Sequence, residues 1–200
     1  EGTQLKAGQS YVMAANKVYT NAYEGENYNN HMNVGGVIQV SPDIKSKQEI
    51  KSNASIDIGK GGTDGSSSTP KPKVATSRGQ VFDAHSDIDM TNKVEGKAGG
   101  LAEHIYTYTD AFVTSTNTIT VNENAVLEQK GEYESGSDIT LSSSDKIKMN
   151  LVAEAYTGGL EGMVRALVDA PVTRTNRLDV NGKLSSTYDT NLYAGVNPDS

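Results

Sequence analysis

The chain has 200 residues, a net charge of −7, no cysteine, no tryptophan and only two phenylalanines, Phe82 and Phe112. The acidic balance disfavours nucleic acid and anionic membrane surfaces, both of which attract basic faces, and the lack of cysteine excludes thiolate metal sites, thiol nucleophiles and disulfide staples. Only 35% of residues are apolar, and 20 glycines sit among many Ser, Thr and Asn, a composition suited to a thin, elongated β structure.

No apolar run approaches the ~20 residues of a membrane-spanning helix, and no signal peptide is legible. The chain opens on EGTQLKAGQS and stops on GVNPDS without capping segments. It is expected to be a piece of something longer, a single β-solenoid fragment over residues 1–200.

In chain order, the first ordered phrase is GGVIQVSPDIKSKQEIKSNASIDIG at 35–59. It reads as a worn copy of a motif that returns twice further on. GKGGTDGSSSTPKPK at 59–73 follows, and its glycine, serine and proline leave little to bury. Residues 59–80 are therefore expected to be a flexible loop excursion. GKGGTDGSS within it is only a faint likeness to a calcium-binding nonapeptide, since Lys60 replaces a glycine and Ser66 the apolar position.

Asp83-Ala84-His85-Ser86-Asp87 gathers the residue types of a catalytic triad. A triad needs spatial geometry, and no G-x-S-x-G elbow accompanies it, so a solvated turn is the expectation. His31, His85 and His104 lack metal-ligand spacing. SDIDMTN from Ser86 returns as SDITLSS from Ser137.

GGLAEHIYTYTDAFVTSTNTITVN at 99–122 returns 59 residues later as GGLEGMVRALVDAPVTRTNRLDVN at 158–181, with 11 of 24 positions identical. Alternation supports strands: Ile119 and Val121 share one face, as do Ile139 and Leu141, Ile147 and Met149, and Leu178 and Val180. A helix over VAEAYTGGLEGMVRALVDA ranks second, because the equivalent HIYTYTDAFVTS is rich in strand formers. The worn copy agrees in spacing, with Ser52-Asn53 in the place of Thr116-Asn117, but SIDI (55–58) is displaced by one from TITV (118–121).

One circuit of a parallel β coil cannot bury its own apolar face, and stacking the next circuit does. Repetition is then a packing requirement, with Ile119, Val121, Leu178 and Val180 pointing inward and Ala98, Ala111 and Ala170 lining the interior. The 20 residues from Ile119 to Ile139 suggest one circuit of three short strands. Asn117 and Asn176 are expected at turns, where Asn tolerates left-handed geometry.

Asp110 and Asp169 match in the repeat, as do Asp57 and Asp179. Paired carboxylates can do acid–base work, yet a catalytic pair is needed once and a structural residue recurs with each repeat. No catalytic residue, cofactor or metal ligand is assigned. Tyr106 and Tyr108 are too weak a motif to mark a ligand site.

The phrases DAFVTSTNTITVNENAVLEQKG, SDITLSSSDKI and VAEAYTGGLEGMVRALVDAPVTRTNRLDVNG resemble repeats of very large filamentous adhesins of Gram-negative anaerobes. The resemblance is to leukotoxin-family filamentous adhesins and, more broadly, to filamentous haemagglutinin. It covers most of the chain and is weakest over 59–80. What the resemblance implies is a right-handed parallel β-helix exported by a type V or two-partner route, then displayed at the cell surface or released. The family includes cell-binding and cytotoxic members, and no functional residue carries over from it. The expected role is a shaft or adhesive segment without enzymatic activity, meeting a protein or glycan receptor on a host cell or neighbouring bacterium. The alternative is a carbohydrate-active parallel β-helix enzyme or a phage tailspike segment.

Overall fold

A computed structural model describes residues 4–7, 10–21, 30–35, 43–59, 71–99, 102–131, 138–158 and 161–195. Every regular element in them is a β-strand: β1 (Gln4–Ala7), β2 (Ser10–Asn21), β3 (Asn30–Gly35), β4 (Asp43–Ile58), β5 (Lys73–Thr76), β6 (Gln80–Gly99), β7 (Ala102–Val121), β8 (Val126–Gln129), β9 (Ile139–Thr157), β10 (Glu161–Asp169), β11 (Val172–Val180), β12 (Lys183–Ser185) and β13 (Thr190–Ala194). The helix reading of VAEAYTGGLEGMVRALVDA is thereby excluded, since that stretch supplies the end of β9 and all of β10.

The strands form three parallel sheets. Sheet A is short, in the order β1-β5-β8-β12; sheet B holds β2 and β3, then β6, β9 and β13; sheet C holds β4, β7 and the pair β10 and β11. Along the chain the sheets are visited as A, B, C, three times over, and then A and B again. β6 and β7 have 20 residues each, or roughly 65 Å of extended chain. Sheets B and C pack against each other through long strands, and sheet A lies at one end of them.

The expected three-strand circuit of about 20 residues is too short. Gln80 pairs with Ile139 in sheet B, and Ala102 with Glu161 in sheet C, a step of 59 residues in both. Ile119 and Ile139 lie in opposite sheets and meet in one core cluster. The repeat at 99–122 and 158–181 is in strict register, with Ile119 opposite Leu178 and Val121 opposite Val180. The worn copy is in register too. Ser55 to Ile58 lie opposite Thr118 to Val121, while Gly35 lies opposite Gly99. The one-residue displacement is therefore taken up between β3 and β4, before the strand, and Ser52 faces Ser115 in place of Thr116. The SDI phrases are not equivalent: Ser86 pairs with Asp145, and Ile88 and Met90 with Ile147 and Met149.

Parallel sheets are usually covered on both faces. Here burial alternates along β6 and β7, one face packed and the other facing outward. Ile119 and Val121 are fully buried, and Leu178 and Val180 pack against the same cluster half-buried. Ala98 and Ala111 are buried as expected. Ala170 sits in the break between β10 and β11 and is only half-buried.

The interior is banded. Nearest sheet A is an apolar cluster that includes Phe82, Ile119, Leu127, Ile139 and Leu141. A middle cluster holds Ile50, Ile88, Met90, Ala111 and Val113, and a far one Ile44, Val94, Ala98 and Ile105. Between the first two lies a hydrogen-bonded polar layer. Ser52 and Ser86 are joined at 2.8 Å, Ser86 donates to Asn117 Oδ1 at 2.7 Å, and Asn117 Nδ2 donates to Asn176 Oδ1 at 2.9 Å. Asn176 Nδ2 donates to Asp145 Oδ1 at 2.5 Å, and Arg174 donates to Asp145 through Nε at 2.6 Å and Nη2 at 3.1 Å. The Asp145 carboxylate pushes the Arg174 pKa up, chiefly by accepting that hydrogen bond. Asn117 and Asn176 thus lie mid-strand, facing inward, and not in turns; among the described residues positive φ occurs only at Gly59 and Gly195. A second layer, with Asn92, Thr107 and Thr109 fully buried and Ser46 donating to Asn92 Oδ1 at 2.8 Å, divides the middle and far clusters.

Two glycines are required by close approach. A Cβ on Gly96 would come within 2.7 Å of Ile105 Cδ1 and 2.8 Å of Ile44 Cδ1, so its absence lets both isoleucines fill the far cluster. Gly59 ends β4 at φ 79°, and a Cβ there would meet the Ala125 Cβ at 2.8 Å. Corners are stacked as well: Asn122 N donates to Ile58 O at 3.0 Å and Asn181 N to Val121 O at 2.8 Å.

Of the expected loop at 59–80, Lys73–Thr76 is strand β5 and Gln80 opens β6 with its side chain fully buried. Gln80 Nε2 donates to Glu128 O at 2.8 Å and to Val74 O at 3.2 Å, which ties sheet A to sheet B. Residues 60–70 lie outside the described residues.

Candidate functional site

The inward parity of Ile105, Thr107, Thr109, Ala111 and Val113 puts Tyr106, Tyr108, Asp110 and Phe112 on the outer face of sheet C. Register stacks β4 on one side of this row and β10 on the other. Lys45 is opposite Tyr108 and Lys47 opposite Asp110, while Met163, Arg165, Leu167 and Asp169 continue the columns of His104, Tyr106, Tyr108 and Asp110.

The side chains interlock. Lys45 Nζ stands 5.0 Å from the Tyr108 ring centroid and Lys47 Nζ 4.8 Å from that of Phe112, within cation–π range. Tyr106 Oη donates to Met163 Sδ at 3.5 Å. Met163 is 52% and Leu167 37% exposed. The result is an aromatic and aliphatic stripe edged by charge. Along the same strand, Thr114, Thr116, Thr118 and Thr120 extend the outer face as a row of hydroxyls.

Sheet B presents a different outer face. Its charges are cancelled across and along the strands, by Lys93 to Glu154 at 2.9 Å, Lys97 to Glu95 at 2.6 Å and Lys148 to Asp89 at 3.3 Å. Such pairs fix the rungs weakly and leave a solvated surface.

The other residues singled out from sequence are dispersed. His85 Nδ1 lies 2.9 Å from Asp83 Oδ2 on the outer face of sheet B, in a strand and not in a turn. Ser86 points the opposite way, into the core. His104 is exposed on sheet C, and the side chain of His31 lies outside the described residues, as does Asp64 of the faint calcium motif. Among the described residues no cluster of His, Cys, Asp and Glu could hold a metal ion. No helix in them is long and apolar enough to cross a membrane. Asp110 and Asp169 are neighbours in register, and Asp57 and Asp179 flank Thr120 on either side.

The chain matches no family model, no curated protein and no solved structure. The stripe itself was within reach of sequence reasoning. Counting back in twos from Val121 assigns odd residues inward and even residues outward, which groups Tyr106, Tyr108 and Phe112. Which residues of β4 and β10 border them required the register.

Proposed function

We propose that this chain is a stretch of right-handed parallel β-helix from the shaft of a secreted or surface-exposed bacterial filamentous adhesin, mediating cell attachment. The observation that carries the reading is the register: a 59-residue sequence repeat coincides with a 59-residue structural step in two sheets. A unit that contacts only its neighbours can be lengthened by copying, which is what a shaft requires. The resemblance of its phrases to leukotoxin-family and haemagglutinin-like repeats supplies the biological setting, the outside of a Gram-negative cell. A chain without cysteine suits that route, because no premature disulfide obstructs export.

The experiment is attachment. Beads coated with the folded chain are expected to adhere to host epithelial cells above the level of beads coated with an unrelated acidic protein. Equal retention would contradict the adhesive role.

One observation favours the enzymatic alternative: Asp110 and Asp169 stand side by side beside the aromatic stripe. That reading requires new reducing or unsaturated ends from some polysaccharide, lost in Asp169→Asn.

A further inference from the structure

We propose that the stripe on sheet C is a binding face for an uncharged polysaccharide. The proposal extends the adhesive reading by naming the face and the ligand class.

A sugar ring has a C–H face that is apolar and an equatorial edge of hydroxyls. It is matched by a platform of rings and aliphatic groups bordered by polar side chains that can donate and accept. The outer face of sheet C offers that combination. Tyr106, Tyr108 and Phe112 lie in one row, the tyrosines about 6.6 Å apart along the strand, and Met163 and Leu167 broaden the platform on the β10 side. The rings are half-buried and Met163 and Leu167 exposed, and an apolar patch open to solvent and edged by polar groups is a mark of an interaction surface. On the outer face of sheet B the described exposed apolar groups stand apart, Tyr11 and Met13 at the start of β2 and Tyr156 under Lys97 at the end of β9, and form no single row, while Lys93–Glu154 and Lys148–Asp89 pair charges across rungs.

The charge balance selects the class. Across the described outer face of sheet C the cations Lys45, Lys47, Lys51, Arg165 and Arg177 are outnumbered by Glu49, Asp57, Asp110, Glu161, Asp169 and Asp179. Lys45 and Lys47 are drawn over ring faces. A polyanion needs a surplus of cations to release its counterions, and this face has none, in a chain that is acidic as a whole. An uncharged chain meets no such penalty, and the mixed charges can bond its hydroxyls. The threonine row from Thr114 to Thr120 gives it a hydroxylated path beyond the rings.

The test is native affinity electrophoresis of the folded chain through gels containing hydroxyethylcellulose, galactomannan or dextran, with heparin and polygalacturonate as charged comparators. Retardation by at least one uncharged polymer is expected. Tyr106→Ala/Tyr108→Ala should weaken it about tenfold or more, and Tyr156→Ala, on sheet B, should not. If the double variant fails to fold, Leu167→Glu serves in its place, since it alters only an exposed position of the stripe. Retardation by none of the uncharged polymers, by polyanions alone, or equally in the stripe variants would overturn the proposal. Cell attachment that survives these variants would overturn it and leave the adhesive role intact. Polysaccharide binding without cell attachment would do the reverse.

Discussion

Asn117 donates its side-chain amide to Asn176 Oδ1 at 2.9 Å, so the asparagines that recur 59 residues apart are bonded to each other through the interior. Each also holds a partner in the facing strand, Ser86 for Asn117 and Asp145 for Asn176. The recurrence serves cross-sheet bonding as well as stacking.

Replacing Asn117 by Leu should therefore cost more than its volume suggests. It strips partners from Ser86 and Asn176, and each buried polar group left unpaired costs about 1–3 kcal/mol. A double-mutant cycle with Asn176→Leu, read by urea unfolding, should show coupling of about 0.5 kcal/mol or more. Additive effects would mean that the layer is no network.

Val121 is fully buried at the end of β7, and Val180 is half-buried at the end of β11. Truncating Val121 to Ala should cost about 1–3 kcal/mol from lost transfer energy and a residual cavity. Val180→Ala should cost less. Hydrogen exchange should show the loss spreading first to β4, β10 and β11, the strands paired with β7, because paired strands stabilise one another most directly. Equal penalties at the two positions would contradict this ordering.

Sheet A is held partly by Glu128, which meets Lys73 at 2.5 Å and Lys130 at 2.9 Å. Hydrogen bonds from Lys73 first, and then Lys130, lower its pKa from 4.5 to about 2. A carboxylate with a depressed folded-state pKa stabilises the fold above its unfolded value, and that contribution is lost as pH falls from 4.5 towards 2. Carboxyl NMR should place its midpoint well below that of an ordinary glutamate, and Glu128→Gln should flatten acid unfolding over that window. A midpoint in the ordinary range would remove the inference.

Asp110→Asn and His85→Ala alter outer-face residues of sheets C and B. Both should leave thermal stability within about 0.5 kcal/mol of the parent, and His85→Ala should also leave cell attachment unchanged. Loss of attachment in His85→Ala would place function on sheet B.

The legible part of the fold was what repeats. Ile119, Val121, Leu178 and Val180 disclosed both the strands and their inward parity, and the GGL openings anticipated a step that the register reproduces. What could not be read was which sheet each strand joins. Ile119 and Ile139 look like consecutive positions of one column, yet they meet across the core from opposite sheets. Asn117 reads as a turn residue until Ser86, 31 positions away, is known to face it. The stripe was half legible: parity reveals Tyr106 and Tyr108, but only pairing brings Lys45 and Leu167 beside them.

The register of the repeat is the central claim, and the absence of native cysteine makes it testable by engineered disulfides. Thr116 and Thr175 are Cα partners on the outer face of sheet C, at the ~4.8 Å separation of adjacent strands, which a disulfide can span. Thr116→Cys/Thr175→Cys should oxidise to a closed loop in the folded chain, while Thr116→Cys/Arg174→Cys should not, because residue 174 faces inward. Efficient closure of the second pair, with none of the first, would mean that the 59-residue step is wrong.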